Sequence, residues 1–215
     1  MGGMGDAEAQ RYWDANAGAV TFSHPLPFDW LTELPKQARI LDFGCGYGRT
    51  LAELRDAGWR CCVGVDRSRE MIARGHRDHP QLDLRHSTQT QLSEPDGAFD
   101  AAILFAVLTT IPDDAQQLAV MAELARLLKP GGLLLVSDVG LQQDARHAER
   151  YRRGFERHGV YGVWDREDGG VFRHHSAERL ATLLQRFDVI AERNLETRTM
   201  SGGVVTAIQI LGRRR

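Results

Sequence analysis

The run Ile40-Leu41-Asp42-Phe43-Gly44-Cys45-Gly46-Tyr47-Gly48-Arg49 constrains the fold more than any other stretch, because it joins an apolar strand-like segment to alternating glycines. Ile40, Leu41 and Phe43 read as a buried strand, and a helical pattern resumes at Thr50-Leu51-Ala52-Glu53-Leu54. Glycines between the two permit backbone conformations that other residues disfavour. A strand–turn–helix unit of this kind belongs to an open parallel α/β sheet, where ligands gather beyond the carboxyl ends of the strands.

Spacing then separates the candidate ligands. The dinucleotide fingerprint is G-x-G-x-x-G, whose third glycine lets the helix pack close beside a pyrophosphate. Arg49 stands at that third position, and the glycine falls one residue early, at Gly48. A nicotinamide-dependent oxidoreductase is therefore only a remote alternative. Asp42 precedes the glycines, and a carboxylate there suits an ammonium-bearing ligand better than a pyrophosphate, because like charges side by side are costly. S-adenosylmethionine is such a ligand: its methionine carboxylate can rest on free backbone N–H groups of Gly44, Cys45 and Gly46 while its ammonium faces Asp42.

Further blocks follow in order: Val63-Gly64-Val65-Asp66-Arg67-Ser68, Asp96-Gly97-Ala98-Phe99-Asp100-Ala101-Ala102-Ile103-Leu104-Phe105, and Arg126-Leu127-Leu128-Lys129-Pro130-Gly131-Gly132-Leu133-Leu134-Leu135-Val136. With the glycine run, these blocks make the chain resemble the class I, Rossmann-like S-adenosylmethionine-dependent methyltransferases of small-molecule type, over nearly its whole length. The resemblance implies an α/β three-layer sandwich around a mostly parallel seven-stranded sheet, with one antiparallel strand near the C-terminus. It places Asp66 on the ribose hydroxyls, Arg67 and Met71 beside the adenine, and Phe105 next to the cofactor. Thr88 and Gln89 stand about where the family usually has an adenine-recognising Asp. Tyr12 and Trp13 lie on a first helix that in similar enzymes folds over the cofactor. Core packing for Met71 and Phe105, a helix cap for Asp66 and an aromatic anchor for Tyr12 are the alternatives the sequence leaves open.

Periodicity predicts helix 7–16, strand 38–43, helix 48–57, strand 61–66, helix 68–77, strands 82–86 and 99–105, helix 112–128 and strand 132–137. Helix 176–186 and strands 187–195 and 203–211 follow, the strands joined as a hairpin through Ser201-Gly202-Gly203. An apolar stripe of Leu118, Met121, Leu124, Ala125 and Leu128 should pack helix 112–128 on the sheet, and Tyr151 and Phe155 should share one helical face. One domain is expected over 1–215: a helical lid and linker at 1–37, a cofactor core at 38–138, a substrate cap at 139–175 and a C-terminal helix and strand pair at 176–215.

A net charge of -2 gives no electrostatic case for nucleic acid, and Arg213-Arg214-Arg215 reads as a solvated tail. No apolar run is long enough to span a bilayer, Met1–Asp6 lacks a signal-peptide pattern, and Asp6 spoils a myristoylation signal. The odd number of cysteines, with Cys45 in the turn and Cys61 and Cys62 in a predicted buried strand, points to reduced thiols. A cytoplasmic location is the expectation, with no membrane partner.

The fourth-strand end, Phe105-Ala106-Val107-Leu108, lacks the Asn-Pro-Pro-aromatic type motif that holds planar amides and amines, and Asp138 stands without further hard ligands, so no metal is predicted. Methyl transfer is an in-line displacement at an already activated carbon, so the chain mainly aligns the acceptor and excludes water. A base is needed only where the acceptor sheds a proton. His174 and His175, expected at the rim of the site, and His24 in the proline-rich linker are the candidates, although capping or exposed loop histidines read the same way. The expected activity is methyl transfer to an O, N or S atom of a small molecule, oxygen slightly favoured; a non-catalytic S-adenosylmethionine-binding module is the alternative.

Overall fold

The computed structural model describes residues 6–200 and 202–215, so the readings that rest on Met1–Gly5 and Ser201 lie outside the described residues. In chain order α1 (Asp6–Asn16) is followed by β1 (Ile40–Phe43), α2 (Arg49–Asp56), β2 (Cys62–Asp66), α3 (Arg69–Asp78), β3 (Asp83–His86), β4 (Phe99–Phe105), α4 (Asp114–Leu127) and β5 (Leu128–Val139). Next come α5 (Ala145–His158), the short strands β6 (Val163–Asp165) and β7 (Val171–Arg173), α6 (Ala177–Leu183), β8 (Phe187–Arg198) and β9 (Val204–Arg214).

The main sheet has seven strands in the order β3-β2-β1-β4-β5-β9-β8. β1 pairs in parallel with β2 on one side and β4 on the other, Ile40 lying opposite both Cys62 and Ala101. β9 runs antiparallel to β5 and to β8, as the family resemblance implies. Strand order reverses at the β1–β4 boundary, and a crevice opens there because the loops on either side diverge. Alternation along β1 serves two layers: Leu41 joins Ala102, Leu104, Leu124 and Val136 in one core, while Ile40 joins Leu51, Leu54, Ile103 and Leu135 in the other. Both faces are thus covered by helices, which accounts for the near-continuous apolar strands.

Several boundaries move for identifiable reasons. α4 starts at Asp114 because the Asp113 carboxylate caps it, accepting from Gln116 N–H at 2.8 Å. β5 begins before the Pro-Gly-Gly turn, since Leu128 already pairs with Phe99 ahead of a register shift. Leu118 is exposed rather than part of the packed stripe. Tyr151 is fully buried, but Phe155 on the same helical face is 51% exposed. α5 presses so closely on β6 that a Cβ at Gly154 would stand 1.7 Å from the Val163 carbonyl oxygen, which explains a glycine inside a helix. Cys61 precedes β2 and is exposed, so the buried-strand reading of the cysteine pair is corrected; only Cys62 enters the strand. The terminal arginines are not a tail either. Arg213 and Arg214 belong to β9, with Arg214 donating to the Leu128 carbonyl and Arg215 paired with Asp188 at 2.7 Å.

Candidate functional site

A cavity of about 150 Å³ opens over the carboxyl ends of β1, β2 and β4. Of the residues expected at a cofactor site, Asp42, Gly44, Cys45, Gly46, Asp66, Arg67, Met71, Thr88, Gln89 and Phe105 all line it, and so does His24. The glycine turn forms its floor. Gly44 and Gly46 have φ of +78° and +55°, and a Cβ at either would meet Val107 at 2.4 Å or Phe22 at 2.7 Å. Only glycine allows this backbone conformation and close approach together.

One expectation for the turn is corrected. The N–H groups of Gly44 and Cys45 donate to the Val65 carbonyl at 2.7 and 3.1 Å, and that of Gly46 to Asp66 at 2.8 Å. They tie β1 to the end of β2 and are not free for a carboxylate.

Asp66 accepts from both Gly46 N–H and Ser68 N–H at 2.8 Å, one on each carboxylate oxygen. Burial raises its pKa, and the two backbone bonds offset only part of that rise. Each oxygen keeps a lone pair for a ribose hydroxyl. Asp42 is 3% exposed, and its Oδ2 is buried without a hydrogen-bond partner. Burial pushes its carboxyl up to about 7, against the nearby Arg49 charge, with Asp66 and Glu53 adding to the rise.

Arg49, read in the sequence only as a departure from the dinucleotide spacing, is a lining residue. It donates through Nη1 to Glu53 and through Nη2 to the His24 carbonyl, each at 2.5 Å. His24 is buried, with Nδ1 2.7 Å from the Ser137 hydroxyl at the end of β5. Burial and then Arg49 lower its pKa to about 4, so the ring is neutral at physiological pH. Phe22 also lines the cavity and stacks on Tyr47 at 5.5 Å and 13°, holding the linker over the turn. Nothing local marks Phe22 in the sequence. Ala106, by contrast, has a positive φ of 54° at the cavity wall, a conformation disfavoured for a side-chain-bearing residue.

Three candidates are placed elsewhere. Tyr12 is not a lining residue: its hydroxyl donates to Asp168 at 3.1 Å and its ring abuts Phe172. Trp13 lines the cavity instead, because consecutive helical side chains point about 100° apart. His174 and His175 are 4% and 2% exposed and do not line the cavity. His175 N–H donates to the Val139 carbonyl at 3.0 Å, and this pairing beside β5 turns both rings into the interior. His174 hydrogen-bonds Tyr151 at 2.7 Å, His175 lies 2.8 Å from the Gln117 side-chain nitrogen, and burial lowers both pKa values to about 3.

S-adenosylmethionine fits these groups. The orphaned Asp42 oxygen suits its ammonium, the glycine floor admits its backbone, and Asp66 presents two acceptors to its ribose. Fold and cavity together define a class I S-adenosylmethionine-dependent methyltransferase domain.

The chain belongs to the methyltransferase-domain family, whose profile matches residues 21–189. It is similar to a Methanosarcina mazei structure described as a SAM-dependent methyltransferase, with TM-score 0.82 and 24% identity over 88% of this chain and 98% of that one. A ubiquinone biosynthesis O-methyltransferase of Xanthomonas campestris pv. campestris is 33% identical over 61% of this chain and 57% of its own. The tRNA (carboxymethyluridine(34)-5-O)-methyltransferase alkbh8 of Xenopus tropicalis is 31% identical over 62% of this chain and 21% of its own. The chain thus spans less than two thirds of these curated relatives. Among the described residues, no helix is long and apolar enough to cross a membrane.

Proposed function

We propose that this domain moves the methyl group of S-adenosylmethionine to an oxygen of a small molecule, with His24 taking the acceptor proton. The observation that carries this reading is His24 itself, a neutral imidazole on the cavity wall that serves as base in the tautomer whose Nδ1–H donates to the Ser137 hydroxyl, leaving the Nε2 lone pair for a ligand. S-adenosylmethionine supplies a methyl carbon activated by positive sulfur. Asp66 holds the ribose, Asp42 the ammonium, and Met71, Thr88 and Gln89 the adenine end, while Arg67 and Phe105 flank the cofactor. Trp13 and Phe22 exclude water from above. His24 Nε2 accepts the hydroxyl proton as the new O–CH3 bond forms, and S-adenosylhomocysteine leaves. In this reading 1–37 is lid and linker, 38–138 the cofactor core, 139–175 the cap and 176–215 the closing helix and strands of one domain. Similarity to an O-methyltransferase supports oxygen as acceptor.

Release of S-adenosylhomocysteine is measured across phenols, carboxylates, amines, thiols and unmodified tRNA. Turnover with phenols that is lost in His24→Ala is the expected result. Transfer confined to tRNA, or cofactor binding without turnover on any acceptor, overturns the reading, the second in favour of a binding module.

A further inference from the structure

The linker that carries His24 crosses the sheet over three residues that lie directly opposite one another. Ser137 on β5 pairs with Gln209 on β9, and Gln209 pairs with Arg193 on β8, so the three side chains share one face of the sheet. Each holds a different point of the linker. His24 Nδ1 lies 2.7 Å from the Ser137 hydroxyl, the Gln209 side-chain nitrogen donates to the Pro25 carbonyl at 2.7 Å, and Arg193 donates to both Asp29 carboxylate oxygens at 3.0 and 3.2 Å. Arg193 Nε also donates to the Gln209 side-chain oxygen at 2.9 Å, which turns the amide nitrogen towards Pro25.

The same face is otherwise apolar here. Leu135 and Val139 stand two residues either side of Ser137, Ala207 and Leu211 two residues either side of Gln209, and all four are buried. Ser137 and Gln209 are fully buried as well, where apolar groups of the same shape would serve the fold as well or better. What the polar pair adds is a hold on two consecutive linker residues. On its other side Ser137 pairs with Phe105, which lines the cavity, so the row runs from the cavity wall to the edge strand β8.

We propose that Ser137, Gln209 and Arg193 form a polar row that fixes the linker and thereby sets the depth and orientation of the His24 ring in the cavity, with Gln209 and Arg193 as positioning residues. The catalytic consequence rests on the reading of His24 as the base.

The test compares wild type with Gln209→Met, which keeps nearly the same volume and removes the amide. Histidine rings are titrated by NMR, the His24 signal being the one absent from His24→Ala. Burial and the Arg49 charge hold this ring low, and once the linker is released its pKa should rise from about 4 towards the ordinary 6.5, while His174 and His175 keep theirs. For a phenol that wild type methylates, kcat should fall about 10- to 100-fold, the loss expected for a misplaced group, with S-adenosylhomocysteine affinity unchanged in calorimetry. A merely structural Gln209 would lower thermal stability and leave the His24 titration where it is, and that result overturns the proposal. Arg193→Ala, at the half-exposed end of the row, carries the same comparison should Gln209→Met not fold, and it should move His24 in the same direction by less. A titration that shifts as expected while His24→Ala still methylates phenols upholds the row and overturns the base reading instead.

Discussion

Replacing Asp42 with Asn should stabilise the ligand-free domain at mildly alkaline pH while weakening its hold on S-adenosylmethionine. The Asp42 carboxyl is 3% exposed, has an unpartnered oxygen, and is pushed from 3.8 up to about 7, mainly by burial. The folded state therefore holds this proton more tightly than the unfolded chain. Its contribution is fully present below about 4, falls as pH rises, and is gone once pH passes about 7. At about 1.4 kcal/mol per pH unit across that window, keeping Asp42 ionised in the folded protein costs roughly 4 kcal/mol. Asn fills the same space without that charge. Urea denaturation of wild type and Asp42→Asn without ligand should show the variant more stable by roughly 4 kcal/mol near pH 8, with the gap closing towards pH 4. Asp138, also pushed up to about 7 by burial, loses stability over the same window, but it does so in both proteins and cancels in the difference. A difference that does not vary with pH, or a variant less stable than wild type near pH 8, refutes the assignment of a destabilising buried charge to Asp42. The same variant should bind S-adenosylmethionine more weakly, because the ammonium loses its ionic partner.

Asp66→Ala should weaken S-adenosylmethionine and methylthioadenosine alike by about 10- to 100-fold in calorimetry, since the ribose is common to both; unchanged affinity refutes the ribose role. His24→Ala should lower turnover of phenolic acceptors by about a hundredfold or more with cofactor affinity unchanged. With S-adenosylmethionine saturating, so that Asp42 protonation does not limit the rate, the neutral His24 should keep kcat/KM for the acceptor flat through the physiological range and let it fall as pH drops through about 4, the direction set by a depressed base; loss of rate already near the usual histidine range under that condition would contradict the buried, Arg49-facing placement. Gly46→Ala combines a φ of +55° with a Cβ 2.7 Å from Phe22, and should lower thermal stability by about 1–3 kcal/mol, with Phe22→Ala restoring part of it.

The cofactor half of the site was legible because its parts are local. Asp42, Gly44 and Gly46 sit within one strand–turn–helix run, and Asp66 ends the next strand, so parallel register alone brings them together: Phe43 pairs with Val65, and Gly46 then reaches Asp66. Hydrophobic period and glycine spacing carry that information directly. The acceptor side is built differently. Its wall depends on where 21–27 lies, and that is set by contacts far apart in sequence: Phe22 on Tyr47, His24 on Ser137, and Ser23 on Thr197 at 2.8 Å. No periodicity encodes such contacts. His174 and His175 show the converse, because proximity to the site along the chain does not fix side-chain direction; their pairing beside β5 does, and it turns them inward. Tyr12 and Trp13 differ by a single position on α1, and only docking of that helix against Phe172 and Phe22 decides which ring meets the cavity. On the proposed reading the local turn specifies the methyl donor, whereas acceptor choice falls to a linker and a helix whose placement only tertiary packing determines. Substitutions that retune the acceptor should accordingly cluster at Trp13, Phe22 and Val107, whose side chains line the cavity; the bond from Phe22 N–H to the Tyr47 hydroxyl at 3.4 Å is a backbone one and survives a change of side chain.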